Sequence, residues 1–161
     1  MGNKEINIVR VVRKEPGMSQ AIENLLNQLV STPVEFSEKN LDEIINSTSS
    51  SLFLLYYNNE IAGMLTIGNY ISPTGKKYWI EDVVVDSKYR GKSLGRALID
   101  EAIRYVSDEE NKENNRQDGH KRNAVIMLTS KPARVAANEL YKSAGFEPKQ
   151  TNVYRMNIKE I

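Results

Sequence analysis

Three groups in this chain are spaced so that they can do chemistry: adjacent carboxylates, a basic glycine-containing turn, and a tyrosine late in the sequence. Glu81 and Asp82 precede the β-branched run Val83-Val84-Val85, and Arg90-Gly91-Lys92-Ser93-Leu94-Gly95 follows shortly after. Beyond the turn, Leu94, Leu98, Ala102 and Val106 recur at helical spacing. A strand that empties through such a turn into a helix leaves backbone N–H groups pointing outward without partners, and the helix dipole reinforces them. Gly91 and Gly95 allow a ligand close to the main chain, and Arg90, Lys92 and Arg96 surround it with positive charge. That combination binds a phosphate. Neighbouring strand residues point to opposite faces, so Glu81 should share a side with Val83 and Val85, and Asp82 with Ile80 and Val84. A carboxyl among apolar neighbours has a raised pKa, which suits it to accept a proton from an ammonium directly or through water. Either acid can equally be structural, paired with a lysine or a backbone group.

Two kinds of phosphate ligand fit such a turn. Gly91-Lys92-Ser93 resembles the end of the triphosphate loop G-x-x-x-x-G-K-[ST], but Asp86 occupies the place of its first glycine and would face the triphosphate. No later strand ending in Asp offers a clear second magnesium ligand. The run from Arg90 to Gly95 also resembles [QR]-x-x-[GA]-x-[GA], the pyrophosphate loop of the GNAT superfamily of acetyl-CoA-dependent N-acetyltransferases, with Ser93 where glycine or alanine is usual. A second block, Ala137-Asn138-Glu139-Leu140-Tyr141 followed by Gly145-Phe146, is similar to the superfamily's A-x-x-L-Y-x-x-x-G-F signature. The two blocks occur in the superfamily's order.

The resemblance implies an α/β fold in one domain over residues 1–161, with a mixed, mostly antiparallel sheet, helices on both faces, and central strands splayed at the cofactor site. It implies acetyl-CoA as co-substrate, with the amides of residues 91 to 96 on the pyrophosphate. The main chain of Val83, Val84 and Val85 would pair with the pantetheine arm and supply an oxyanion donor. Tyr141 matches the tyrosine that protonates the departing thiolate, a role open to a phenol of pKa about 10; read alone, it can also be a packing residue. Asn138, one turn earlier, would bond the CoA arm. Arg134 replaces an asparagine common in the family, and its role stays open. Glu81 is the first choice of base and Asp82 the second. The acceptor would be a primary amine of a small molecule or a peptide. A non-catalytic acyl-CoA-binding module is the alternative.

The whole chain sets the frame. Lys plus Arg number 22 and Asp plus Glu 21, so no global field recruits nucleic acid or an anionic membrane. No apolar run approaches about eighteen residues, and Met1–Glu5 lacks the apolar segment of a signal peptide. A cytoplasmic protein, with a homodimer open, is expected. There is no cysteine, so no thiol nucleophile, and a lone His120 builds no histidine metal site. Along the chain the pattern predicts a strand at 6–12 and a helix capped by Ser19. A second helix opens on Phe36-Ser37 with Leu41 as staple. A hairpin turning at Asn58-Asn59 follows, then a strand at 78–85 and a helix at 93–107. Residues 108–123 read as a charged loop, 125–146 as a strand and a helix starting at Ser130-Lys131-Pro132, and 152–158 as a last strand. Glu35, Glu38, Asp42 and Glu43 can attract a cation or merely be solvated, and Tyr56, Tyr57, Tyr70 and Tyr78 can line a pocket or pack.

Overall fold

Runs of β-branched and aromatic residues broken by Gly, Pro and Asn fold here as a five-stranded sheet. The computed structural model describes residues 5–114 and 124–158. In chain order these form β1 (Ile6–Arg10), α1 (Met18–Leu29), α2 (Glu38–Ile45), β2 (Ser50–Tyr57), β3 (Glu60–Ser72) and β4 (Gly75–Val85). A 3₁₀ turn (Ser87–Tyr89), α3 (Leu94–Asn114), β5 (Val125–Leu128) and α4 (Val135–Ser143) follow. The sheet order is β1-β2-β3-β4-β5; the first four strands are antiparallel and β5 lies parallel to β4. Asn58 and Asn59 both take positive φ, as a two-residue hairpin turn requires. Two cores flank the sheet. Phe53, Leu65, Ile67 and Tyr78 pack under Leu98 and Ala102 of α3, while Leu54, Met64 and Val84 pack under Ile22 and Leu25 of α1 and Leu41 of α2.

The second helix begins as its sequence requires: the Ser37 side chain accepts from the Asn40 amide and the Asn40 side chain from the Ser37 amide, a reciprocal cap. The first helix differs. Its cap is Gly17, with no side-chain bond, and Ser19 lies inside the first turn, donating to Glu38 at 2.7 Å.

Three further expectations are corrected. Residues 108–114, read as loop, continue α3, because charge pairs replace an apolar stripe there. Arg104 reaches Asp108 at 2.9 Å, Lys112 reaches Glu109 at 2.9 Å, and the buried Lys76 of β4 holds Glu113 at 2.5 Å and Glu110 at 3.5 Å. The rest of that segment, 115–123, lies outside the described residues, and His120 with it. Ser130-Lys131-Pro132 opens a turn rather than a helix, and α4 starts at Val135. Residues 152–158 form no strand among the described residues.

Candidate acetyl-CoA site

The site is built where β4 loses a neighbour. β5 pairs with β4 only from Lys77 to Ile80, so from Glu81 to Val85 the β4 edge on that side has no strand beside it among the described residues. At the same place β4 carries a bulge against β3: Met64 faces Val84 and Thr66 faces Glu81, leaving Asp82 and Val83 opposite Leu65. Asp82 absorbs the distortion with φ 52°, a conformation that Asp tolerates better than the β-branched residues beside it. The bulge resets the alternation. Tyr78 and Ile80 point into the α3 core, yet Val83 and Val85 pack against that same core, and Val84 points into the other. The expected grouping of Asp82 with both Ile80 and Val84 therefore fails, since those two lie on opposite faces.

After β4 the chain is braced. Asp86 caps the 3₁₀ turn by accepting from the Lys88 amide at 2.9 Å, the Ser87 amide donates to Gln28 of α1 at 2.9 Å, and Lys88 and Tyr89 both bond Glu60. Gly91 (φ 77°) and Ser93 (φ 59°) then take left-handed conformations at alternate positions, which curls successive amides toward one concavity. The first helical closure is Ala97 N–H onto the Ser93 carbonyl at 3.1 Å. From Gly91 to Arg96 no amide has an acceptor among the described residues. Gly95 has a separate reason to be glycine: a Cβ there would stand 3.2 Å from Leu140 of α4, so α3 and α4 approach closely beside the loop.

A cleft of about 820 Å³ joins these parts. Val83, Val84, Val85, Arg90, Gly91, Ser93, Leu94, Gly95, Arg96 and Tyr141 line it, all expected from sequence. Gln28 and Leu29 of α1 and the first residues of α4 also line it, and sequence reasoning missed them. Among them, Val135 is 67 % exposed. Lys92, Asn138, Glu81 and Asp82 are not in the lining. Asn138 instead donates to the Lys131 carbonyl at 3.0 Å, fastening the turn before α4. Arg96 bonds Asp100 at 2.8 Å and the Ser143 carbonyl at 3.1 Å, tying α3 to the end of α4, and Arg90 holds the Val85 carbonyl at 3.2 Å. Arg134 reaches the Leu29 carbonyl at 3.0 Å across the cleft.

The late glycine-phenylalanine pair is a helix stop that fixes Tyr141. Gly145, at φ 94°, donates to the Lys142 carbonyl and Phe146 to the Tyr141 carbonyl, each at 3.0 Å. The Phe146 ring meets the Tyr141 ring edge-on at 6.3 Å. Burial pushes the Tyr141 phenol above its ordinary range, and the nearby Arg134 charge pulls it part-way back. Glu81 and Asp82 sit at the apex of the splay, next after the last paired residue Ile80. Partial burial raises both carboxyls, and the Asp82 charge adds to the rise at Glu81. Two acids of α2 have a cation already: Lys14 lies 2.8 Å from Asp42 and 3.7 Å from Glu38. None of Tyr56, Tyr57, Tyr70 and Tyr78 lines the cleft. Tyr57 packs against Tyr89 with the rings tilted 51° and 5.3 Å apart, and Tyr78 bonds Glu110.

Residues 21–146 match the family described as Acetyltransferase (GNAT) family. The chain belongs to that family. A GNAT acetyltransferase takes acetyl-CoA as co-substrate, and the open amides beside an unpaired strand edge fit that molecule's diphosphate and pantetheine arm. Among curated proteins none matches the chain. Among solved structures, an aminoglycoside acetyltransferase from an uncultured soil metagenomic sample is similar at 14% identity, with a TM-score of 0.78 over 96% of this chain and 97% of its own. Glucosamine-6-phosphate N-acetyltransferase from Arabidopsis thaliana is 20% identical, with a TM-score of 0.69 over 94% and 98%. An aminoglycoside N-acetyltransferase solved with CoA gives 13% and 0.72 over 97% of each chain. At such identities the likeness is one of fold. No helix among the described residues of this GNAT chain is long and apolar enough to cross a membrane.

Proposed function

We propose that this acetyltransferase moves the acetyl group of acetyl-CoA to a primary amine of a small molecule or peptide, and that residues 1–161 act as one acetyl-CoA-binding domain. The observation that carries the reading is the run of unpartnered amides from Gly91 to Arg96, placed at the end of the unpaired β4 edge and across one cleft from Tyr141. Acetyl-CoA supplies the activated thioester. Amides 91–96 grip its diphosphate, Arg90 and Lys92 add charge there, and the main chain of Val83 to Val85 pairs with the arm. An amide of this strand donates to the oxygen that becomes negative as the amine attacks. Glu81, held above the ordinary carboxylate range, accepts the ammonium proton directly or through water; Asp82 is the second choice. Tyr141 keeps its proton at neutral pH and delivers it to the leaving sulfur.

Solved proteins of the same fold include an aminoglycoside acetyltransferase and a glucosamine-6-phosphate N-acetyltransferase, which makes amino-sugar amines the first acceptors to try. The test is a panel of amino sugars, polyamines, amino acids and N-terminal peptides, with released CoA thiol as the readout. The chain contains no cysteine, so the thiol signal has no protein background. Acceptor-dependent thiol release supports the reading. Acetyl-CoA binding with no release across the panel favours the non-catalytic module instead.

A further inference from the structure

Arg134 differs from the other cations of the cleft in what it holds. Among the described residues its side chain has one bonded partner, the Leu29 carbonyl, 3.0 Å from Nη2. That carbonyl belongs to the last residue of α1, where carbonyls lack an intrahelical donor and the helix dipole is negative, so a guanidinium suits it. The bond ties the start of α4 to the end of α1, 105 residues apart in the chain, and both residues line the cleft. The backbone behind it is fixed. The Arg134 amide donates to the Lys131 carbonyl at 3.0 Å, and the Asn138 side chain donates to the Lys131 and Pro132 carbonyls at 3.0 and 3.4 Å. With that turn fastened, the exposed Arg134 side chain is the part that can swing. The bridge also lies toward the reacting end of the cleft. Arg134 and Tyr141 stand two turns apart on one side of α4, and the Arg134 charge acts on the Tyr141 phenol. Arg90 and Arg96 are engaged at the loop instead, on the Val85 carbonyl and on Asp100 and the Ser143 carbonyl.

Resting on the acetyl-CoA reading above, we propose that Arg134 is a clasp for the pantetheine arm. Its bond to Leu29 opens to admit the arm beside Val83 to Val85 and closes again across it. The arm then leaves only when the bond breaks. The clasp holds no phosphate, because its partner in the free and the loaded protein is the same carbonyl. A bridge made in both states slows entry and exit alike, so it sets rates and leaves affinity nearly unchanged. Arg134 is in this sense a positioning residue, and Asn138, by fastening the turn 131–134, aims it.

Stopped-flow binding of CoA to the full chain and to Arg134→Ala tests this, with ADP, which carries the diphosphate but no arm, as the second ligand. Arg134 is exposed, so the alanine variant keeps the fold. Association and dissociation of CoA should both quicken roughly tenfold, the size expected for one charged hydrogen bond, with Kd nearly kept. The ADP rates should not change. In the ligand-free variant, hydrogen exchange should also quicken at the Val30 amide, which bonds the Leu26 carbonyl at the end of α1. Weaker binding of CoA and ADP together would make Arg134 a phosphate ligand and overturn the clasp. A parent chain that binds no CoA strikes the acetyl-CoA reading and the clasp with it. A parent that binds and releases CoA at the variant's rates strikes the clasp alone.

Discussion

At the scale of single residues, the account gives Tyr141 and Glu81 different duties, and each leaves its own kinetic mark. Tyr141→Phe keeps the ring against Phe146 and removes only the hydroxyl that carries the proton. Its kcat should fall by roughly 10²- to 10⁴-fold, the usual range for a positioned acid, with CoA affinity nearly unchanged. An equal loss of affinity in a binding titration would make Tyr141 a packing residue. Glu81 must be ionised to take a proton, so activity should rise with pH through a value above the ordinary carboxylate range. Glu81→Gln should flatten that limb of the pH–rate profile, while Asp82→Asn should keep it and move it to lower pH, because the Asp82 charge helps to raise Glu81. A profile untouched by Glu81→Gln but lost in Asp82→Asn exchanges the two roles.

At the scale of elements, much of the site was legible because its parts are local. The Arg90–Gly95 turn shows its glycines and charges in sequence, and Tyr141 with Gly145-Phe146 spells out a helix stop whose bonds lie within a few residues. Phe36-Ser37 with Leu41 reads as a helix start for the same reason, and the structure adds Asn40 to that cap. The bulge at Asp82 was not legible, because period-two alternation assumes an uninterrupted ladder and the extra residue exists only against Leu65 of β3. Nor was the α1 contribution: Gln28 and Leu29 enter the cleft through tertiary packing, bonded to Ser87 and Arg134. The extension of α3 was hidden because Lys76, far away in sequence, supplies the partner for Glu113. The helix stop itself predicts a variant. Gly145→Ala places a Cβ on a left-handed residue with open space around it, so the cost is conformational, about 1–2 kcal/mol. Thermal denaturation should show a melting point lower by roughly 2–8 °C, together with a reduced kcat as Tyr141 loosens. A variant as stable as the parent would remove Gly145 from this role.

At the scale of the molecule, β4 is paired with β5 from Lys77 to Ile80 and not from Glu81 onward among the described residues, and the cleft opens at this change of pairing. A ligand that fills the opening should stabilise the whole fold. At about a hundred times its Kd, acetyl-CoA should add about 2.7 kcal/mol, a rise in melting temperature of roughly 5–10 °C for a domain of this size. ATP with magnesium should do little, since Asp86 caps the 3₁₀ turn where a triphosphate loop would carry its first glycine. The reverse ranking in a thermal-shift series would restore the nucleotide reading. The most direct measurement is an amide-resolved NMR titration of the intact chain with CoA. The account predicts that the resonances of Gly91 to Arg96 and of Val83 and Val85 move first and furthest. Binding that leaves those amides in place, or shifts that centre elsewhere on the sheet, would contradict it.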